Sequence, residues 1–184
     1  MGDSNLIYKH LISEKKIDDL DGNLTSLEKL HANSFRMFIE ELAHWLRIWD
    51  LWILNFYQTR PFLLGVAGMT WYPLQVMVVG WYAYRRNKTM LYEQGVGRHS
   101  EDEIKGFVTE AAGLMTTFIN EETRLADVER PCLVQASLFG FLMSLYRARN
   151  CSTAWKEELE KQPELERWTR KMATKYYPER PFPV

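Results

Sequence analysis

The chain has 184 residues with 23 basic and 24 acidic side chains, a net charge of −1, so it lacks the basic excess of a general nucleic-acid binder. Its length suits one domain, or one domain and a fragment of another, and 46% hydrophobic and 14% aromatic residues supply a dense core with no disulfide or metal staple required. The two cysteines, Cys132 and Cys151, lie far apart and form no Cys-x-x-Cys, which points to a reducing, cytoplasmic setting.

In chain order, Met1-Gly2-Asp3-Ser4 shows neither the basic nor the apolar region of a signal peptide, and Leu6 stands where a myristoylation signal needs Ser or Thr. Residues 4 to 13 read as a short helix with Leu6, Ile7 and Leu11 on one side, followed by a polar turn over 18–23. Thr25 and Glu28 form a capping-box pattern. After them, Leu27, Leu30, Phe35, Phe38, Leu42, Trp45, Trp49, Trp52 and Phe56 recur at helical spacing on a face wide enough to be mostly buried, with Pro61 as its end.

Residues 62 to 72, with Gly65 and Gly68, read as irregular, and Pro73 suits the first turn of a helix running to about Tyr92. Residues 62 to 84 carry no charged side chain and match a membrane span in length. Gly65, Gly68, Thr70, Pro73 and Gln75, with Trp71 and Tyr72 in the middle, argue instead for a loop and a buried helix, because Trp and Tyr prefer the membrane interface to its centre.

Gln94-Gly95-Val96-Gly97-Arg98-His99-Ser100 writes a turn and a helix start in one line. Gly95 and Gly97 permit positive φ, while Ser100 with Glu103 makes a second capping box. That helix runs to about Asn120, and a polar connection covers 121–130. Pro131 opens an apolar helix, Ser152 or Thr153 caps a short one, and Pro163 opens the last. The end of the chain, 177–183, is too proline-rich for helix. With no alternating strand pattern, the fold class is all-α.

Candidate chemistry is sparse. Glu28-x-x-His31 and Glu41-x-x-His44 have the spacing of di-iron ligands, but both fall on one helix, too far apart along it to share a metal, so no metal is expected. Of the adjacent Glu40 and Glu41, one is expected to pair with an arginine such as Arg36 or Arg98 in a structural ion pair. Arg98 is a candidate tie to a neighbouring helix, and His99 a turn residue bonding backbone. The Trp and Met positions, Trp81, Met37 and Met77 among them, are expected to be mostly core, with a minority lining an apolar cleft.

Four stretches carry a resemblance: Gly2-Asp3-Ser4-Asn5-Leu6-Ile7; Arg36–Trp45 with its Glu40-Glu41 and Trp45; Gln94–Ser100 with Glu103-Ile104; and, in part, Arg130-Pro131 with Ala136, Phe139, Gly140 and Leu142. Together they resemble the glutathione S-transferase superfamily, in its failed-axon-connections and metaxin branch, over Asp3 to about Met172. The resemblance implies a helical bundle like the C-terminal domain of a glutathione S-transferase. Residues 1–22 would be the end of a thioredoxin-like domain, 23–176 the helical domain and 177–184 a tail. It implies that Asp3 and Ser4 hold the γ-glutamyl end of glutathione, the carboxylate pairing with its amino group. Glu41, Trp45, Trp71 and Tyr72 would shape an apolar substrate pocket, and Glu40, Gly95, Gly97, Arg98, His99 and Ser100 would form the structural motif. Where the family starts its core helix with Ser or Thr and an Asp three residues on, Cys132 and Gln135 stand here, a weakened cap costing about 1 kcal/mol.

Three functions follow as expectations. One is a glutathione S-transferase-like enzyme, or its helical half, acting on an apolar electrophile; the thioredoxin-like half that would lower the thiol pKa should precede Asp3. The second is a non-catalytic, metaxin-like interaction module at the mitochondrial outer membrane surface. The third is a helical protein that binds a hydrophobic metabolite without glutathione. The expected partners are a small apolar molecule, another protein or a second copy of the chain, with neither nucleic acid nor an integral membrane position.

Overall fold

The structure is a computed structural model; it describes residues 4–66, 73–121, 124–148, 150, 152–179 and 182. Among the described residues there is no strand. Helix α1 is Ser4–Ser13, and its Tyr8 hydroxyl donates to Asp19 (3.1 Å) and accepts from the Leu20 amide (2.8 Å), which folds the following turn back on the helix. Helix α2, Ser26–Met37, starts at the Thr25 capping box: Glu28 accepts from the Thr25 amide at 2.7 Å, and Thr25 accepts from the Glu28 amide at 3.3 Å.

From α2 the helical path continues through a π-helical segment, Phe38–Ala43, then α3, His44–Trp49, then a second π segment, Asp50–Leu54. Each π turn takes up an extra residue and rotates the inward face. Ala32, Ile39, Ala43, Leu46, Trp49, Asp50 and Leu51 are buried along the run, whereas Leu27, Leu30, Leu42 and Met37, expected inside from a straight helical repeat, are exposed. Phe35, Phe38 and Trp45 are half-buried against the core.

The run ends at Asn55 rather than at Pro61. Asn55 leaves the helical region (φ −113°, ψ 33°), and both its backbone N–H (3.0 Å) and its side-chain amide (2.9 Å) bond the Asp50 carbonyl. Pro61 lies inside α4, Phe56–Val66, so 62–66 is helical, not irregular. Helix α5 is Pro73–Gln94, α6 is Glu101–Asn120, α7 is Leu133–Arg147, α8 is Thr153–Lys161 and α9 is Pro163–Tyr176 with Pro163 in its first turn.

The main core gathers α3, α6, α7, α8 and α9 around Leu46, Ile104, Val108, Met115, Leu138, Leu142, Trp155 and Leu165. A smaller cluster of Leu24, Ala32, Leu125, Cys132 and Val134 lies beside it, where Phe35 stacks on Phe118 (centroids 4.1 Å, 7°). The weak cap expected at Cys132 is reinforced from a distance. Asp21 accepts the Leu133 amide (2.9 Å), and Gln135 accepts the Cys132 amide (3.3 Å). Beyond α9, Phe182 packs on Tyr146 (5.1 Å), with the Arg170 guanidinium over its ring at 4.2 Å.

Candidate functional site: an aromatic, basic groove between α3 and α5

Two devices hold the walls of this groove. The first is Asp50, fully buried where α3 meets the second π segment. Its carboxylate accepts from the Ser152 hydroxyl, from the Asn55 amide (2.8 Å) and from the amides of Ala154 (3.4 Å) and Trp155 (3.5 Å). Ser152 precedes α8 but makes no cap of its own; a carboxylate on another helix caps α8 instead. Burial pushes the Asp50 carboxyl above its ordinary value of 3.8, and the bonds from Ser152, Ala154, Trp155 and Asn55 pull it partly back. The result is a staple that fixes Trp49 and Ile53 against the α8 side.

The second device is the turn after α5. Gly95 takes φ 113°, a conformation that suits glycine. Gly97 does not use positive φ; it is small for a different reason. A Cβ there would stand 2.8 Å from the Leu91 carbonyl carbon and the Tyr92 nitrogen, so the turn lies directly on the last turns of α5. Arg98 Nε donates to the Tyr92 carbonyl (3.0 Å), and its guanidinium sits 5.1 Å from the centre of the Tyr92 ring. Glu103 accepts from the Ser100 amide (2.8 Å) and hydroxyl (2.9 Å), and these bonds hold its carboxyl below the usual range. His99 stands edge-on to Phe107 at 5.0 Å with Nδ1 3.8 Å from Glu103.

Between the two devices runs an open groove of about 510 Å³. Trp49, Ile53, Trp81, Tyr84, Arg85, Lys88, Thr89, Leu91, Tyr92 and Gly97 line it. Four aromatic rings face two cations, with no carboxylate in the lining; Arg85 lies over the Trp81 ring at 5.0 Å. The volume is that of a small-molecule site. Such a wall takes a flat or aliphatic body, and the cations take an anionic end.

Gly97 is the residue of the structural motif that reaches the groove directly. Glu41 is exposed on the first π segment, and Trp45 packs on the core; neither lines the groove. Glu40 is exposed, 3.9 Å from Arg36 and 3.3 Å from the Ser137 hydroxyl, so its ion pair lies at the surface, and Arg98 serves a carbonyl. Asp3, Trp71, Tyr72 and Cys151 lie outside the described residues; Ser4 opens α1. Met37, Met77 and Trp81 are exposed rather than core. Among the described residues no three His, Cys, Asp or Glu side chains gather into a metal site. Arg85, Lys88 and Asp50 escaped the sequence reading. A lone acid at the head of an apolar run, Asp50 in Trp49-Asp50-Leu51-Trp52, is the signal that marks the buried carboxylate.

No protein-family model, curated protein or solved structure matches the chain.

Proposed function

We propose that the chain is a glutathione S-transferase-like helical module whose α3–α5 groove holds an apolar molecule with an anionic end. The observation that carries this is the groove lining, four aromatic rings with Arg85 and Lys88 and no acid. Conjugation would add glutathione at Asp3 and Ser4, of which Ser4 is the first described residue of α1. Helix α1 lies beside Arg36, with which Tyr8 and Lys9 share a hollow. Arg36 and Trp49 are thirteen residues apart on one helical run, about 20 Å. That separation along the run is the reason binding in the groove is the reading to test first, ahead of transfer from a thiol held near α1.

The test is competition by dodecanoate, dodecanol and dodecylammonium for a fluorescent naphthalene sulfonate. Dodecanoate should displace it best, and Arg85→Ala with Lys88→Ala should erase that preference. Equal displacement by all three defeats the reading. Retention on glutathione resin together with conjugation of a chloronitrobenzene would favour the transferase instead.

A second reading, the non-catalytic metaxin-like module at the mitochondrial outer membrane surface, is favoured by one observation. Met77, Val78, Trp81 and Tyr82, near the start of α5, are exposed. If a protein covers them, binding to an outer-membrane fraction should vanish when the membrane is stripped of protein by protease.

A further inference from the structure

Between Asp50 and Glu93 the sequence contains no acidic residue, yet Arg60, Arg85, Arg86 and Lys88 fall within that stretch. Four uncompensated positive charges in a chain of net charge −1 leave the remainder of the molecule acidic. The charge is therefore sorted along the sequence, with the whole of α4 and nearly the whole of α5 on the positive side.

The same stretch exposes apolar surface. Met77, Val78, Trp81 and Tyr82 are 57%, 58%, 58% and 62% exposed, and Tyr57 on the adjoining α4 is 78% exposed. Positions 77, 78, 81 and 82 share one face of a helix, and one turn further on the same strip carries Arg85 and Arg86. The arrangement is an aliphatic and aromatic patch bordered by cations. Trp and Tyr favour the boundary between headgroups and acyl chains, Met and Val favour the chains, and Arg and Lys favour anionic headgroups. Nucleic acid would use the cations and rings but gain nothing from Met77 and Val78.

Among the described residues no helix is long and apolar enough to cross a membrane, and surface docking does not require one. We infer that the start of α5, with Tyr57 of α4, docks on an anionic lipid surface, laying Met77, Val78, Trp81 and Tyr82 into the interface and Arg85, Arg86 and Lys88 against the headgroups. The inference shares the exposed face with the second reading above, names lipid in place of protein, and shares Trp81, Arg85 and Lys88 with the groove, so its variants are chosen outside the groove lining.

The experiment is flotation of the full chain with protein-free vesicles of phosphatidylcholine alone, or of phosphatidylcholine mixed with phosphatidylserine, at low and high salt. The chain should float with the mixed vesicles, release in high salt and ignore the neutral ones. Two variants avoid the groove lining. Arg86→Ala should weaken partitioning about fivefold. Met77→Ser, Val78→Ser and Tyr82→Ser together should abolish it while the circular dichroism spectrum stays unchanged. Equal binding to neutral vesicles, binding that survives the triple change, or no binding to either vesicle overturns the inference. Binding only to membranes that retain their proteins also overturns it and supports the protein-partner reading. A chain that sediments as a dimer and ignores lipid overturns it in favour of a second copy over the same face.

Discussion

On the α6–α9 side of the protein the aromatic rings are turned inward. Trp155 is fully buried and edge-on to Phe141 at 5.3 Å, and Trp168 is buried with its ring N–H on the Ala126 carbonyl (3.2 Å). On α5 the rings of Trp81, Tyr82 and Tyr92 are turned outward, among cations. The polar groups divide in the same way. Asp50, Gln135 and Thr169 are buried and hydrogen-bonded inside the protein, the Trp155 ring N–H being a buried donor with no partner among the described residues. The α5 face leaves Arg85 and Lys88 in an acid-free groove beside uncovered rings. One side stabilises the chain, and the other carries surface whose use requires something else.

The comparison breaks most sharply on a pair of tryptophans. Trp155→Ala removes a fully buried ring and should cost about 4 kcal/mol of unfolding free energy in urea. If that substitution costs less than 1 kcal/mol, the packed side is not where stability resides.

Next in size is Asp50→Ala. It removes the acceptor of the Ser152 hydroxyl and of the Ala154 and Trp155 amides, and one of the acceptors of the Asn55 side-chain amide, in one step, and should cost about 3 kcal/mol. The same residue carries a pH signature. Because its carboxyl is raised in the folded protein, the folded chain holds this proton more readily than the unfolded chain does. Its contribution to stability falls as pH rises from 3.8 through the folded-state value, and is level above it. Urea midpoints of the native chain minus those of Asp50→Asn, measured against pH, should show that slope. A difference that rises over this window would contradict the burial argument.

Gly97→Ala comes third and joins the two sides. Its Cβ meets backbone atoms of α5, which cannot swing away like a side chain, so about 2 kcal/mol is expected. Because Gly97 also lines the groove, ligand affinity should fall with stability. Thermal midpoints measured with and without ligand separate the two effects.

Helix starts were the most legible feature of the sequence, because a cap is a local pattern. Thr25 with Glu28 and Ser100 with Glu103 both form reciprocal boxes, and Pro163 opens the last helix. The inward face of the run from Ser26 to Leu54 was not legible. Two π segments each insert a residue without any residue type that announces them, so no single straight repeat holds the inward face from end to end; Leu42 falls outside in the first segment, and Leu27 and Leu30 are exposed within α2 itself, ahead of both. Long-range caps were equally hidden. Asp50 serves Trp155 from 105 residues away, and Asp21 serves Leu133 from 112 away; spacing rules of three or four residues hold no trace of either. The groove was half legible: aromatic spacing suggested an apolar cleft, but the cations that define its chemistry lie on the exposed edge of α5, where Arg and Lys ordinarily do nothing but meet water.

The smallest expected effect sharpens the comparison furthest. Trp81 is 58% exposed, so Trp81→Ala returns little buried area to water and should move stability by no more than about 0.5 kcal/mol. It also removes the ring beneath Arg85 and one wall of the groove, so displacement of the fluorescent probe by dodecanoate should weaken strongly. A residue neutral for folding and costly for binding is what an outward-facing tryptophan means if it serves a ligand or a surface. If Trp81→Ala instead destabilises the chain as much as Trp155→Ala does, the α5 face is part of the packed core, and the contrast between the two sides disappears.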